Sequence, residues 1–368
     1  MTVGPVFVGS EVYRRAAFGA NHPLAFSRVS TVMELCQLLG WFDGGRYLEA
    51  PMATPGQLAR FHDPAYIAAV AAADKAQSAT PDMRERFGLG TMENPIFPGL
   101  MARAATTCGG AIAAAKHALT GGVAFHPAGG THHGFRNRAR GFCYFNDPVL
   151  ALYVLLDAGL TRIYYIDLDA HHGDGVEEAF KNDPSVFTLS IHEENRWPHT
   201  GTLADRQGIA AMNIPVPRGF NDTELDFLIE SVVVPIGERL APQAVVITCG
   251  ADNLKGDPLS KMELSNGALW RAVSRVVALA PGAVVLGGGG YHPWNVARGW
   301  TGLWGVLSGQ SIPDRLPPAA ESILRSLSSD LVDDEDADES WFKTLADPPR
   351  PGPVRDAVLN AARVALAP

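Results

Sequence analysis

Apolar and polar positions along the chain form two alternating kinds of segment. Short apolar runs rich in β-branched and aromatic residues are typical of buried strands. Longer segments place apolar residues three and four positions apart, which is typical of amphipathic helices. The predicted strands are residues 3–8, 123–125, 163–166, 186–191, 212–216, 244–248 and 283–286. The predicted helices are residues 28–39, 65–76, 101–120, 147–158, 176–180, 224–240, 266–279 and 354–366.

Regular alternation of strands and helices predicts an α/β protein whose open, mostly parallel sheet carries helices on both faces. Residues 78–99 show no clear period, so we interpret them as a long surface loop. The chain shows no internal repeat. We expect one domain over residues 1–310. Residues 311–368, which are Pro-rich, then acidic and then helical, are expected to pack on that domain.

Composition places the chain among globular proteins, because 46% of its 368 residues are hydrophobic and 19% are charged. The net charge of -9 is uneven. Removing the seven acidic residues of segment 330–339 leaves about -2, so we expect no nucleic-acid-binding surface. That segment is interpreted as a solvated linker or helix face. Its acidic residues are Asp330, Asp333, Asp334, Glu335, Asp336, Asp338 and Glu339.

The cellular compartment is predicted from three features of the sequence. No apolar run approaches the roughly 18 residues of a membrane-spanning helix. The first ten residues lack the basic and apolar pattern of a signal peptide. The four cysteines are widely spaced and form no C-x-x-C pair, so we expect reduced, buried thiols. Together these features predict a cytoplasmic protein without a membrane partner. The oligomeric state is not predicted.

Chemically active side chains are concentrated where the predicted strands end. Asp169 and His171 follow the strand at 163–166, and Asp252 follows the strand at 244–248. Residues two apart in an extended chain point the same way, so Asp169 and His171 can bind one ion. Two carboxylates and one imidazole with open positions fit catalytic Zn²⁺, and Fe²⁺, Co²⁺ or Mn²⁺ remain possible. A surface loop with capping Asp residues is the alternative.

Two adjacent histidines, His132 and His133, lie in a glycine-rich turn that could bring both rings to one pocket. One of them would be the general base for a metal-activated water. Asp167 and Asp174 are the candidates to orient these imidazoles, and the sequence leaves open which Asp binds which His. A polar surface turn is the alternative interpretation.

Aromatic residues near these clusters are candidates for substrate contacts. Tyr291 follows four glycines, and its hydroxyl could donate a hydrogen bond to an oxyanion. Phe142 and Trp197 lie in loops and could form a narrow apolar slot for an alkyl chain. Ordinary core packing is the alternative for all three residues.

Taken together, five motifs resemble those of the histone deacetylase superfamily. This family of zinc-dependent amidohydrolases has the arginase/deacetylase fold, and it includes acetoin-utilisation proteins and acetylpolyamine amidohydrolases. The resemblance covers residues 5–310. The motifs are Gly-Gly-Thr-His-His at 129–133, Gly-Phe-Cys-Tyr-Phe-Asn-Asp at 141–147, Ile-Asp-Leu-Asp-Ala-His-His-Gly-Asp-Gly at 166–175, Gly-Ala-Asp at 250–252 and Gly-Gly-Gly-Tyr at 288–291.

The resemblance implies roles for the catalytic residues. Asp169, His171 and Asp252 correspond to the zinc ligands. His133 corresponds to the general base and then general acid, and His132 to its electrostatic partner. Tyr291 corresponds to the residue that polarises the amide carbonyl together with zinc.

The resemblance also implies a substrate tunnel and a second cation. Phe142 and Trp197, with Gly141 beside them, correspond to the walls of an acyl-lysine tunnel, and Glu93 corresponds to a loop carboxylate that binds the substrate backbone. Family members hold a structural K⁺. The matching groups are the Asp167 carboxylate, the backbone carbonyls of Asp169, His171 and Ile191, and the Ser190 hydroxyl.

Departures from the family narrow the implied substrate. The position of Trp197 is usually Phe, so the tunnel width is expected to differ. Leu259 stands where polyamine-specific relatives carry a gatekeeping Glu. We therefore expect deacetylation of acetyl-lysine in proteins or peptides. Acetylpolyamines or other acylated small amines are the alternative substrates, and an acyl-lysine-binding pseudoenzyme is the alternative without catalysis. A two-manganese ureohydrolase is disfavoured, because Asp252-Asn253-Leu254 lacks a second Asp-x-Asp cluster.

Overall fold

Eight parallel strands form one sheet at the centre of the molecule. The structure is a computed structural model that describes residues 3–14, 18–19, 22–205, 210–332 and 337–367. The strand order is β2-β1-β3-β8-β7-β4-β5-β6. The strands are β1 (Val6–Gly9), β2 (Tyr47–Glu49), β3 (Val123–His126), β4 (Ile163–Asp167), β5 (Val186–Glu193), β6 (Ala211–Val216), β7 (Ala244–Thr248) and β8 (Gly282–Leu286).

Helices cover both faces of this sheet, and the last helix packs against the edge strand β6. They are α1 (Val29–Leu38), α2 (Pro55–Leu58), α3 (Pro64–Ala76), α4 (Pro81–Phe87), α5 (Leu100–Ala118), α6 (Asp147–Asp157), α7 (Asp174–Phe180), α8 (Asp222–Leu228), α9 (Val234–Leu240), α10 (Asn266–Val277), α11 (Pro293–Leu307), α12 (Pro318–Arg325), α13 (Glu339–Lys343) and α14 (Asp356–Ala365).

The two faces of the sheet bury separate hydrophobic cores. Tyr164 and Ile166 of β4 pack into one core, and Ile163 and Tyr165 of the same strand pack into the other. Successive side chains of a strand point to opposite faces, so a strand covered on both faces is apolar at every position. This geometry explains the continuous apolar runs, and it confirms the predicted α/β class with a parallel sheet.

Several predicted boundaries are wrong. Residues 78–99 contain the helix α4, whose start is capped by the Thr80 side chain, so the segment is not one unstructured loop. The helix predicted over 224–240 is two α-helices separated by a π-helical turn at Ile229–Val233. Strand β2 and helix α11 were not predicted. Helix α11 is buried around most of its circumference. It therefore lacks the polar face by which an amphipathic helix is recognised in a sequence.

The C-terminal segment, residues 311–368, makes buried contacts with the rest of the chain. The Trp294 indole donates to the Leu324 carbonyl at 2.9 Å. Arg355 donates two 2.7 Å hydrogen bonds to the buried Glu224 carboxylate at the start of α8. Residues 333–336 of the predicted acidic linker lie outside the described residues. The boundary at residue 310 stays a prediction.

Two further findings concern the cysteines and the helix lengths. All four cysteines are free thiols, and all four are buried. Across the part of the chain that the structure describes, no helix combines the length and the apolar character needed to cross a bilayer.

Truncation of a core side chain tests the importance of the packed face beneath α10. Leu269 is fully buried there. Leu269→Ala should lower the free energy of unfolding by about 2–5 kcal/mol, because the lost contacts leave a cavity. Urea denaturation would measure the change. The matched control is Leu359→Ala, where the side chain is 44% exposed and the change should stay within about 0.5 kcal/mol. Equal losses in the two variants would contradict the assignment.

Candidate metal centre and active site

Three buried side chains converge at the C-terminal ends of β4 and β7. Asp169 and His171 lie in the loop after β4, and Asp252 lies in the loop after β7. Their potential ligand atoms all lie within 4.8 Å of one another. The Nδ1 atom of His171 is 3.1 Å from Oδ1 of Asp169 and 2.9 Å from Oδ2 of Asp252. The three residues predicted to bind one metal ion are therefore brought together.

The electrostatics of this cluster fit a bound cation. Burial raises the pKa of Asp252 to about 6, and the neighbouring Asp169 carboxylate acts in the same direction. Two carboxylates this close repel each other in a buried site unless positive charge lies between them. A divalent ion with oxygen and nitrogen ligands satisfies that requirement. The donor set therefore fits Zn²⁺ or a similar ion.

The glycine-rich segment after β8 closes over the same cluster. The Gly289 amide donates to Oδ2 of Asp169 at 2.6 Å. A Cβ atom at Gly289 would lie 2.1 Å from Oδ2 of Asp252, which no side chain could tolerate. The backbone of this segment thus approaches both carboxylates closely, and Tyr291 follows two residues later.

Each of the two adjacent histidines has its own carboxylate partner. His132 Nδ1 lies 2.7 Å from Oδ2 of Asp167, and His133 Nδ1 lies 2.7 Å from Oδ1 of Asp174. Gly130, with φ of 88°, allows the turn that directs both rings inward. The pairing that the sequence left open is therefore His132 with Asp167 and His133 with Asp174.

Different surroundings separate the charges of the two rings. Burial alone would lower the pKa of His132, but the carboxylates of Asp167 and Asp169 raise it to about 9. Burial lowers the pKa of His133 to about 3, and the charge on His132 acts in the same direction. At neutral pH, His132 is cationic and His133 is a neutral ring able to accept a proton.

A cavity of about 470 Å³ opens onto this cluster. The Trp197 ring lies 4.6 Å from the His133 ring, and the Phe142 ring lies 5.8 Å from the Tyr291 ring, both between centroids. Nearly perpendicular aromatic pairs of this kind pack well and form rigid walls. All the residues predicted to bind substrate line the cavity together with the catalytic candidates: Glu93, Gly141, Phe142, Trp197 and Leu259, with His133, His171 and Tyr291.

The residues predicted to bind K⁺ lie behind the metal cluster. Asp167 is paired in register with Ser190, and Ile191 follows within the same strand. Both residues belong to β5, which continues to Glu193, two residues beyond the predicted end of that strand. The buried Asp167 carboxylate also accepts a 2.6 Å hydrogen bond from Tyr165.

Arg140 was not singled out from the sequence, although it contacts the site. Its guanidinium donates to Oδ2 of Asp174 at 2.7 Å and lies over the Trp197 ring, 5.1 Å from the centroid. It therefore links the carboxylate behind His133 to a wall of the cavity. Only its position directly before Gly141 could have drawn attention to it, because a single Arg in a loop is usually solvated.

His172, next to the candidate ligand His171, is held by contacts through both ring nitrogens. Its Nδ1 atom is 2.9 Å from the Thr200 hydroxyl, and its Nε2 atom is 3.2 Å from the Glu177 carboxylate. Both ring nitrogens are therefore used in holding neighbouring segments together.

The parallel α/β fold carries a candidate metal-dependent hydrolase site, with an Asp-His-Asp cluster, a neutral histidine and a cavity with aromatic walls. Residues 22–307 match the family model described as the histone deacetylase domain. The chain therefore belongs to the histone deacetylase family, and the predicted class of enzyme, a hydrolase of acetyl amides, is confirmed.

Similar proteins include bacterial and eukaryotic family members. The chain is 32% identical to the acetoin utilization protein AcuC of Bacillus subtilis, over 85% of this chain and 84% of that protein. It is 35% identical to histone deacetylase RPD3 of Saccharomyces cerevisiae, over 82% of this chain and 71% of that protein. It is 34% identical to histone deacetylase 1 of Oryza sativa over 82% of this chain, but spans only 59% of that relative's length.

A solved structure supports the same assignment. The crystal structure of an HDAC homolog from Aquifex aeolicus superposes with a TM-score of 0.94 at 36% identity, covering 99% of this chain and 100% of that chain. An HDAC homolog complexed with SAHA matches with the same TM-score and identity.

Removal of one carboxylate tests the metal centre. Asp252→Asn replaces a charged ligand with a neutral one, so the affinity for Zn²⁺ should fall at least about 100-fold. Elemental analysis after dialysis should find about one Zn²⁺ per wild-type chain and far less in the variant. Asp226→Asn, which changes an exposed residue on α8, is the control and should retain the metal. Equal metal contents in all three proteins would contradict the assignment.

Proposed function

We propose that this protein removes the acetyl group from acetyl-lysine in proteins or peptides, using Zn²⁺, with Fe²⁺ or Co²⁺ as possible substitutes. One observation carries the proposal. One cavity with aromatic walls is lined by His133, Tyr291 and His171, and His171 belongs to the cluster of three candidate metal ligands. Such a cavity fits an extended alkyl chain that ends in an amide.

The metal ligands and His133 would divide the task of activating water. Asp169, His171 and Asp252 would hold the ion, which supplies a polarised carbonyl and a water of lowered pKa. His133 accepts a proton from the attacking water, because its ring is neutral and Asp174 fixes its orientation through Nδ1. The same ring then returns the proton to the departing lysine amine. The products are acetate and a lysine side chain with an unmodified amine.

Tyr291 and His132 would stabilise the negative charge that develops on the amide oxygen. Burial raises the pKa of Tyr291 well above its usual value, and the Asp252 and Asp169 carboxylates add to this shift. The phenol therefore stays protonated and can donate a hydrogen bond. His132, held cationic by Asp167, contributes positive charge from behind His133.

A structural K⁺ behind the catalytic cluster is a second part of the proposal. Its support is that Asp167 is paired with Ser190 in the sheet register and that both residues are buried. An alkali ion bound by these oxygens and by the carbonyls of Asp169, His171 and Ile191 would hold the loop after β4 in position. Glu93, at the entrance of the cavity, would accept hydrogen bonds from the substrate backbone.

Loss of one hydroxyl tests the oxyanion role. Tyr291→Phe should lower kcat on an acetyl-lysine peptide by about 100- to 1,000-fold, with a smaller change in KM, because the hydrogen bond acts on charge that develops during the reaction. Steady-state kinetics would measure both constants. Tyr153→Phe makes the same change far from the site, on α6, and should behave as wild type. Full kcat in Tyr291→Phe would rule out the role.

Paired substrates test the choice between lysine and polyamine. We expect kcat/KM for an acetyl-lysine peptide to exceed that for acetylputrescine at least tenfold, a difference of about 1.4 kcal/mol. The reason is that Leu259 at the cavity wall offers no charge to the second ammonium of a polyamine. Leu259→Glu should reduce the ratio. A wild-type preference for acetylputrescine would favour the small-amine alternative.

A further inference from the structure

A second cavity, of about 410 Å³, lies beside the active-site cavity. It has no role in the proposed chemistry. The loop after β5, the end of β6 and the C-terminal helix α14 form its walls. The residues that line it and that are used below are Glu194, Asn195, His199, Pro215, Pro217 and Ala357.

The two cavities share a ridge formed by Asn195 and His199, which line both of them. Both residues are exposed and have left-handed backbone, with φ of 57° and 64°. Among the described residues, five non-glycine positions have positive φ. Besides Asn195 and His199, one more of these five, Phe142, lines the active-site cavity. Strained backbone of this kind is retained where function requires a particular shape. Because Asn195 and His199 line both cavities, a substrate that fills the first can continue over the ridge into the second.

The floor and one wall of the second cavity are firmly held. The buried His192 ring contacts the Ser190 hydroxyl and the Gly201 carbonyl, each at 2.8 Å. Helix α14 is anchored by the pair between Arg355 and the buried Glu224. The cavity is thus preformed, which reduces the entropy lost when a ligand binds.

The chemistry of the walls favours a long side chain with a positive end. Pro215, Pro217 and Ala357 offer apolar surface for an aliphatic stem. Glu194 is exposed, and its carboxylate makes no hydrogen bond or ion pair within the described ranges.

Two of the nearby cations are already paired with carboxylates. Arg196 binds Glu193, with its Nη2 2.6 Å from the carboxylate, and Arg140 binds Asp174. Glu194 is the acidic side chain that lines this cavity, and Arg363 on α14 donates a hydrogen bond to Asn360 in the same lining. Lysine and arginine combine an apolar stem with a cationic end.

We propose that the second cavity binds the side chain of a lysine or arginine that flanks the acetyl-lysine in the same polypeptide. The inference rests on the proposed deacetylase function and narrows its substrates to basic peptide segments. The aliphatic stem packs on the proline wall, and the cationic end pairs with Glu194.

A positional scan tests this subsite with zinc-loaded enzyme. Acetyl-lysine peptides would carry arginine or alanine at each of about three positions on either side, the reach of an extended chain across the ridge. At one position, arginine should lower KM about two- to fivefold relative to alanine with kcat unchanged, as expected for an exposed ion pair. Nα-acetylated acetyl-lysine amide, which has no flanking residue, measures the basic reaction separately.

Two variants connect the preference to this cavity. Glu194→Gln removes the carboxylate, and Ala357→Trp fills the cavity from α14. In each variant the ratio of KM values for the arginine and alanine peptides should fall to about one. Glu238→Gln on α9 and Leu359→Trp on the outer side of α14 are the matched controls. Both positions are exposed and outside the cavity lining, so the wild-type ratio should persist.

Each outcome of the scan has one interpretation. A preference that disappears in both variants supports the subsite. The subsite is overturned if no position prefers arginine, if the preference survives in both variants, or if only small acetylated amines are hydrolysed. If no acetylated compound is hydrolysed, including the amide without flanking residues, the proposed function itself is wrong.

Discussion

The close approach of two buried carboxylates, Asp169 and Asp252, is the constraint on which the rest of the site depends. Each is removed from water, and each repels the other, so neither is stable there without donors and a counter-charge. Backbone amides supply part of the compensation: Gly289 and His171 donate to Asp169, and Ala170 donates to Asp252. A cation bound between the carboxylates would supply the remaining compensation. The loops after β4, β7 and β8 are thus held together by one electrostatic requirement.

That requirement also explains why the two adjacent histidines carry different charges. Asp169 and Asp167 make the surroundings of His132 negative, so its ring keeps a proton. The positive charge on His132 and the burial of His133 then keep the second ring neutral, although Asp174 is bonded to it. Two chemically identical side chains, adjacent in sequence, acquire different charges because His132 interacts with the carboxylates of Asp167 and Asp169, whereas His133 is buried next to the positive charge of His132.

The sequence predicts those parts of the molecule that a pattern within a few neighbouring residues determines. Apolar runs predict the central strands, and polar residues at their ends predict the metal ligands, because both patterns are contained within a few residues. The pairing of His133 with Asp174 and the contact of Arg140 with both Asp174 and Trp197 depend on how loops pack, which no local pattern contains. Helix α11 was missed because burial on all sides removed its polar face. The short strand β2 has too few residues to show a period.

The C-terminal segment lies beyond the part of the chain that matches the family model, but it contributes to the surroundings of the active site. The matched domain ends at residue 307, yet α14 supplies a wall of the cavity next to the active site. Its anchor, Arg355, satisfies a carboxylate that is fully buried at the start of α8, so the helix cannot leave without exposing an unpaired charge to an apolar environment. The shape of that cavity is therefore as fixed as the catalytic core. Relatives that share the core but differ in this helix should differ in the residues they accept beside the acyl-lysine, while their reaction stays the same.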